Sequence, residues 1–431
     1  MLLIYTHKKT PRLTYVLKQV LQRILGLEFT ITTRIEDFIK HSGPKITYTT
    51  KPLQNEFFIQ SHPLLFDEGI QEYEIKVRPW DDLPTFFPTV KSNVIPFDLF
   101  AASFFLLTRY EEYLPFKPDQ HGRFPATSSV AHKHDFLHLP LVDVWAWKWV
   151  EILKEKFPEV TPIKNPVQFT PVVNVTTSHC FAHRGVIRGS AGLLMDLGYF
   201  KLRRVVDRIA VVIFRKKDPF DNFEKLIGVL KKFRTKGIFF FQFAEYSKHD
   251  KNISTENNKF RSLIKYVADY AEVGLAASFR SQTEMALLKD EKEHLSAVIH
   301  RPINSVRLRY NRIEIPSSYR DLIDAEITRD YTMGYTHYIG FKASTCTPFF
   351  FYDLGIEAQQ PIKVHPFAVH DYALQGHSKI EKMLSEISSA ATQVRRVGGN
   401  FILLFSNENL GGSHRVNWLD LYERVIEQYH V

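Results

Sequence analysis

Residues Val172–Gly185 read VVNVTTSHCFAHRG. An apolar run ends in threonines and passes into a loop holding His179, Cys180 and His183. Such a run, stopped by a polar turn, reads as a buried strand. In folds that alternate strands with helices, chemistry collects on the loops just after the strands. The loop after this strand therefore bears on both fold and function.

Just upstream, KFPEVTPIKNPVQFTP carries Pro158, Pro162, Pro166 and Pro171, which mark a domain boundary. Two domains are expected, an N-terminal α/β unit over 1–160 and a second unit over 166–431, because 431 residues exceed one ordinary core. In the first, MLLIYT reads as a strand and TPRLTYVLKQVLQRILG as a helix. Thr10 is placed to cap that helix, Pro11 suits its first position and Gly26 its stop. Strands are expected at LEFTITT and near 45–49, 56–60 and 71–77. A short helix is expected at IEDFIKH, and long helices over 97–113 and 141–156.

In the second unit, VVNV, GIFFFQFA, EVGLAA, NSVRLRY, PIKVHPFAV and NFILLFS read as strands. They alternate with helices over 221–233, 257–270, 281–297, 378–397 and 417–429. That alternation implies a largely parallel sheet or a (β/α) barrel.

Hydrophobic content of 44% and aromatic content of 14% exclude a disordered chain. Cys180 and Cys346 are the only cysteines, which excludes a disulfide framework and suits a reducing compartment. In MLLIYTHKK the basic residues follow an apolar stretch too short for a signal sequence, and no apolar run nears the roughly 18–20 residues of a spanning helix. The expected location is cytoplasmic, with a position peripheral to a membrane as the variant. A net charge of +9 favours acidic partners, but its cations are scattered as on a solvated surface.

PFDLFAASFFLLTRYEEYLP, HGRFPATSS, DPFDNF, DYTMGY, GFKASTCTPFFFYDL and the strand ending LLFSNENL resemble a bacterial branch of the polysaccharide deacetylases. This is the NodB-homology group, carbohydrate esterase family four. The resemblance runs from about residue 95 to the end, and the N-terminal segment resembles the companion domain of that branch. It implies a distorted (β/α) barrel and removal of acetyl groups from N-acetylated sugars. A divalent metal held by one Asp and two His would polarise the amide and its bound water, with a second Asp as base and a His as acid.

The carry-over fails at those positions. The first strand of the family ends Asp-x-Asp, and here these residues are Asn174 and Thr176. The ligand His positions are Ala276, which has no donor atom, and Arg309, a fixed cation. The acid position is Ser406, while Arg307 and Asn407 are retained. Asn cannot take a proton at neutral pH, and a Thr hydroxyl is a poor substitute for a carboxylate. The expectation is a homologue without metal or other cofactor that binds a glycan, a lipid-linked saccharide or a protein partner in envelope polysaccharide metabolism. Ser278, Tyr335, Phe341 and Asp371 are its candidate substrate contacts, and loop-holding roles are expected for Asp330 and Asp353.

The alternative is an active, divergent deacetylase or hydrolase with a relocated zinc site at His179, His183 and His370 or Asp371. Two His of suitable spacing do not specify a metal, and Cys180 reads as a small packed residue. A third reading makes the chain a peripheral membrane or nucleic-acid binder. Its segment FKLRRVVDRIAVVIFRKKD, Phe200–Asp218, is basic and partly amphipathic. The expectation is a helix packed on its sheet with AVVIF buried, against an interfacial helix meeting anionic headgroups. Nucleic acid is not expected, because the aromatic residues lie in apolar strands rather than among cations.

Overall fold

The computed structural model describes residues 1–90, 94–412 and 416–430. In the N-terminal part, β1 (Leu2–Tyr5), β2 (Phe29–Thr32), β3 (Lys45–Thr49) and β4 (Phe57–Gln60) form a parallel sheet in the order β2-β1-β3-β4. The helix Pro11–Leu17 starts where expected, with Thr10 Oγ1 accepting from the Leu13 N–H at 3.1 Å, and it continues as a π-helix over Lys18–Ile24. Gly26 follows at φ +63°, where a Cβ would stand 2.9 Å from Ile163 Cβ. No strand forms over 71–77. The chain pairs instead just beyond, in the hairpin β5 (Arg78–Trp80) and β6 (Leu83–Thr85), where Trp80 meets Leu83. The expected helix over 97–113 stops at Leu107, because Arg109 adopts a left-handed conformation (φ +54°).

The second sheet contains β7 (Val167–Val175), β8 (Ile238–Phe241), β9 (Glu272–Ala277), β10 (Ser305–Leu308), β11 (Arg329–Asp330), β12 (Phe349–Asp353), β13 (Ala358–Val364), β14 (Val369–His370) and β15 (Gly399–Ser406). Its order is β12-β13-β11-β10-β9-β8-β7-β15-β14, and every pair is parallel except β12 with β13. Between β13 and β14 the chain bonds to both sides. His365 N–H donates to Asp330 O (2.8 Å) and Phe367 N–H to Met333 O (3.0 Å), then Ala368 N–H donates to Ile402 O (3.0 Å). This stretch thus bridges β11 and β15.

Val172, Ile238, Phe240, Ala276, Tyr331, Phe367, Ile402 and Leu404 form a small apolar cluster apart from the main core. They come from β7, β8, β9, β15, the end of β11 and the bridge. Alternation along a strand puts every second residue on one face, so these are one face of the sheet. Gly274 admits Phe240 here, since a Cβ would lie 2.4 Å from its ring.

Buried polar contacts weld the two sheets' regions together. Tyr15 donates its hydroxyl to Phe350 O at 2.8 Å. Glu112 accepts from Arg109 (2.7 Å) and Lys342 (3.1 Å), and Arg109 also donates to Lys342 O. Burial would raise the Glu112 pKa, but Lys342 and Arg109 hold it below the usual range. Among the described residues, no helix is long and apolar enough to cross a membrane.

Residues 186–217 depart from expectation. Two helices, Val186–Gly198 and Leu202–Val212, form a hairpin. In AVVIF only Val211 is buried, while Val212, Ile213 and Phe214 face solvent. The apolar face is not packed on the sheet, because the inward side is taken by Asp196 and Arg208, paired at 2.6 Å.

Candidate functional site

A cavity of about 300 Å³ lies at the carboxyl ends of β7, β10, β14 and β15. Three pairs of residues two apart supply much of its wall: Asn174 with Thr176, Arg307 with Arg309, and Ser406 with Glu408. Asn174, Arg307 and Ser406 lie at the ends of β7, β10 and β15, while Thr176 and Arg309 come just beyond their strands and Glu408 from the helix Asn407–Gly411. Beyond β10 the backbone turns through left-handed Tyr310 (φ +61°) and Asn311 (φ +55°). The Tyr310 ring stacks on His121, with centroids 4.7 Å apart. Arg123 donates to Tyr310 O (2.9 Å) and Thr336 Oγ1 (3.1 Å), so the segment around HGRFP covers one side.

The fixed charges of the cavity are positive. Arg307 is buried, donates to Tyr331 O (3.0 Å) and to Asn311 Oδ1, and lies over the Phe367 ring. Burial pulls its pKa down to about 10, against the pull of Asp330 and Asp371, so it stays charged at neutral pH. Glu408 is the acidic residue in the wall, and burial raises its pKa although Thr176 donates its hydroxyl to it. His370 is held towards its neutral form by burial, with Nδ1 2.8 Å from Asp371 Oδ1. Ser406 is committed to the same carboxylate through its N–H (2.6 Å) and hydroxyl (3.1 Å).

These residues do not fit a divalent metal. The Thr176 hydroxyl is engaged by Glu408, Ala276 packs in the small apolar cluster, and Arg309 brings a cation into the wall. Among the described residues, no group of three or more His, Cys, Asp or Glu side chains could hold an ion. The relocated set does not assemble. The rings of His179 and His183 stand edge to face at 5.0 Å, and His179 Nδ1 lies 3.2 Å from Ser178 Oγ. His370 alone of the three is in the cavity wall. Burial pushes the Cys180 thiol up to about 11, which leaves little thiolate. The backbone N–H groups of Cys180, Phe181 and Ala182 all donate to Asp218, at 2.8, 2.8 and 2.9 Å, and this fixes the loop.

Asn174, Thr176, Arg307, Arg309, His370 and Ser406 are brought together, but none of the four candidate substrate contacts lines the wall. Ser278 is buried and caps a turn, its Oγ accepting from Ser281 N–H and its own N–H donating to Glu291. Tyr335 accepts from Arg109 at 3.3 Å, and Phe341 lies in the main core. Asp371 stands behind the wall, on His370 and Ser406. Asn407 is likewise buried and donates to Thr177 O. Asp330 accepts from Thr332 and Tyr319, and Asp353 from Arg320 at 2.7 and 3.1 Å, both of which hold loops.

The sequence reading missed His121, Arg123, His337, Tyr372 and Glu408 as wall residues. Signals existed for two regions. Glu408 lies in SNENL, just past the end of the last strand, and HGRFP stands out as a motif although it lies in the N-terminal part.

Residues 2–158 match a family of unknown function, DUF7033. No curated protein matches the chain. A protein assigned as a polysaccharide deacetylase from Mycobacterium smegmatis is similar in structure at 14% identity and a TM-score of 0.41, over 63% of this chain and 88% of that one. One of the same assignment from Pseudomonas aeruginosa shows 12% identity and a TM-score of 0.39, over 61% and 84%. A carbohydrate esterase family 4 pseudoenzyme from Bacillus anthracis shows 11% identity and a TM-score of 0.30, over 62% of each chain.

Proposed function

We propose that residues 166–431 form a distorted (β/α) barrel of the polysaccharide-deacetylase type behind an N-terminal α/β domain of residues 1–160. We further propose that its strand-end cavity binds a saccharide carrying an acidic group and does not deacetylate one through a metal. Strands β7 to β11 follow one another in space as in sequence, and the bridge between β11 and β15 supports closure. The cavity sits where such barrels carry their sites.

The observation that carries the reading is the pair Arg307 and Arg309 in one wall with neutral Asn174 and Thr176. A cavity of about 300 Å³ is at the small end for ligand sites and suits a single sugar ring. Guanidinium groups recognise carboxylate, sulfate or phosphate through charge-assisted hydrogen bonds.

Titration calorimetry with a uronic-acid oligosaccharide and with a neutral N-acetylated oligosaccharide tests this. The acidic ligand should bind, and Arg309→Gln should weaken it by at least about tenfold. Equal binding of the neutral sugar, with acetate released when a divalent metal is added, would contradict the proposal.

One observation favours a second reading, acid–base chemistry without a metal. His370, held neutral, and Glu408, inclined to keep its proton, share the wall. They could act as acceptor and donor. Hydrolysis of a saccharide in the presence of a chelator, abolished by His370→Ala, would establish it.

A further inference from the structure

The hairpin of helices Val186–Gly198 and Leu202–Val212 is turned inside out. Its buried side holds an ion pair. Asp196 accepts from Arg208 Nη2 (2.6 Å) and Nε (3.2 Å), Arg204 approaches it at 3.4 Å, and Arg208 lies over the Phe181 ring. Its solvent side is apolar, with Ile187, Leu194, Phe200, Leu202, Val206 and Phe214 exposed, Ile187 and Phe200 at 85%. Exposed apolar residues gathered on one hairpin mark an interaction site. At the tip, Phe200 is held at φ +53°, in a region that bulky residues rarely adopt, and its ring stands out from the turn between the helices.

Charge identifies the occupant. Residues 186–217 hold eight basic and two acidic side chains. One acid, Asp196, is consumed inside the hairpin, and the other, Asp207, is partly buried. Lys201, Arg203, Arg215 and Lys216 are exposed beside the apolar strip, and Lys217 is too, within 3.3 Å of Glu224. A symmetric contact with a second copy would set these cations against themselves.

We propose that this hairpin docks the protein on an anionic lipid surface, with the apolar strip in the headgroup region and the cations on the lipid charges. An interfacial helix has this pattern: an apolar face that enters the acyl boundary, with Lys and Arg at headgroup level. The tip sequence Tyr199-Phe200-Lys201 places an aromatic pair and a cation together, as at membrane interfaces. The hairpin follows the loop that leaves β7 at the cavity end, so docking would set the cavity near the surface.

The test is co-sedimentation of the full chain with phosphatidylcholine vesicles, with and without phosphatidylglycerol. Binding should require phosphatidylglycerol, weaken as salt rises, and fall at least about tenfold both in Leu194→Ser/Phe200→Ser and in Lys201→Glu/Arg203→Glu. All four positions are exposed, so circular dichroism and melting temperature should not change. Absence of wild-type binding, or binding that the serine variant leaves intact, would overturn the proposal. So would self-association without lipid that the serine variant abolishes, because the strip would then be an interface between copies.

Discussion

Asn174 and Ser406 are register partners on the adjacent parallel strands β7 and β15. The resemblance to deacetylases puts the proton acceptor at the first position and the proton donor at the second. Side by side at one cavity, both are neutral here. Ala276, which stands at a ligand position in that resemblance, is the register partner of Arg307, which is retained.

Glu112 is one of the contacts that weld the N-terminal part to the second sheet, and Arg109 also pairs with Glu111 at 2.8 Å. Replacing Glu112 with Ala leaves Arg109 and Lys342 buried without their shared carboxylate. Breaking a buried ion pair from one side costs about 3–5 kcal/mol. Denaturant unfolding of Glu112→Ala should show a loss of that order. A loss below about 1 kcal/mol would mean that the network does not hold the two parts together.

Glu291 gives a pH dependence of known sign. Burial holds its proton up to about 7, against a usual 4.5. Between those values the folded chain keeps a proton that the unfolded chain has released. The contribution of this group to stability therefore falls as pH rises through that window and stays lowered above it. Glu291→Gln keeps an acceptor for the Ser278 N–H and should gain up to about 3 kcal/mol at pH 8, with little pH-linked gain at pH 4. An equal effect at both pH values would contradict the assignment.

Asp196→Asn removes the charge that Arg208 and Arg204 meet inside the hairpin. Amide exchange across 186–212 should accelerate while the sheet strands keep their protection. Uniform protection would show that the hairpin is held by something other than this pair.

Much of the strand–helix alternation was legible because buried strands and amphipathic helices write their period into the sequence. EVGLAA is β9 to the residue, and the helix Leu141–Lys156 starts and stops where its pattern does. Short strands escaped. β11 has two residues, too few for any period, and PIKVHPFAV, expected as one strand, breaks into β13 and the two-residue β14. AVVIF misled because hydrophobicity reports a preference for leaving water and not the surface that meets it. The inward side instead carries the ion pair of Asp196 with Arg208, twelve residues on, a contact that hydrophobic periodicity does not report.

The candidate site was half legible. Asn174, Thr176, Arg307, Arg309 and Ser406 were found through the resemblance to deacetylases, and the strand ends bring them to one cavity. His121 and Arg123 arrive from far upstream, and no local pattern signals that approach. Tyr335 and Phe341 looked like sugar platforms by type, but burial assigns them to packing.

The most direct test of a cavity without metal chemistry is metal content. The untagged protein would be offered zinc, manganese, nickel and cobalt, desalted, and its bound ions counted by mass spectrometry. The expected result is no retained ion above background, with acidic-saccharide binding unchanged by chelator. One ion per chain, lost on His370→Ala or on His179→Ala, would contradict the account and restore a metal-dependent hydrolase.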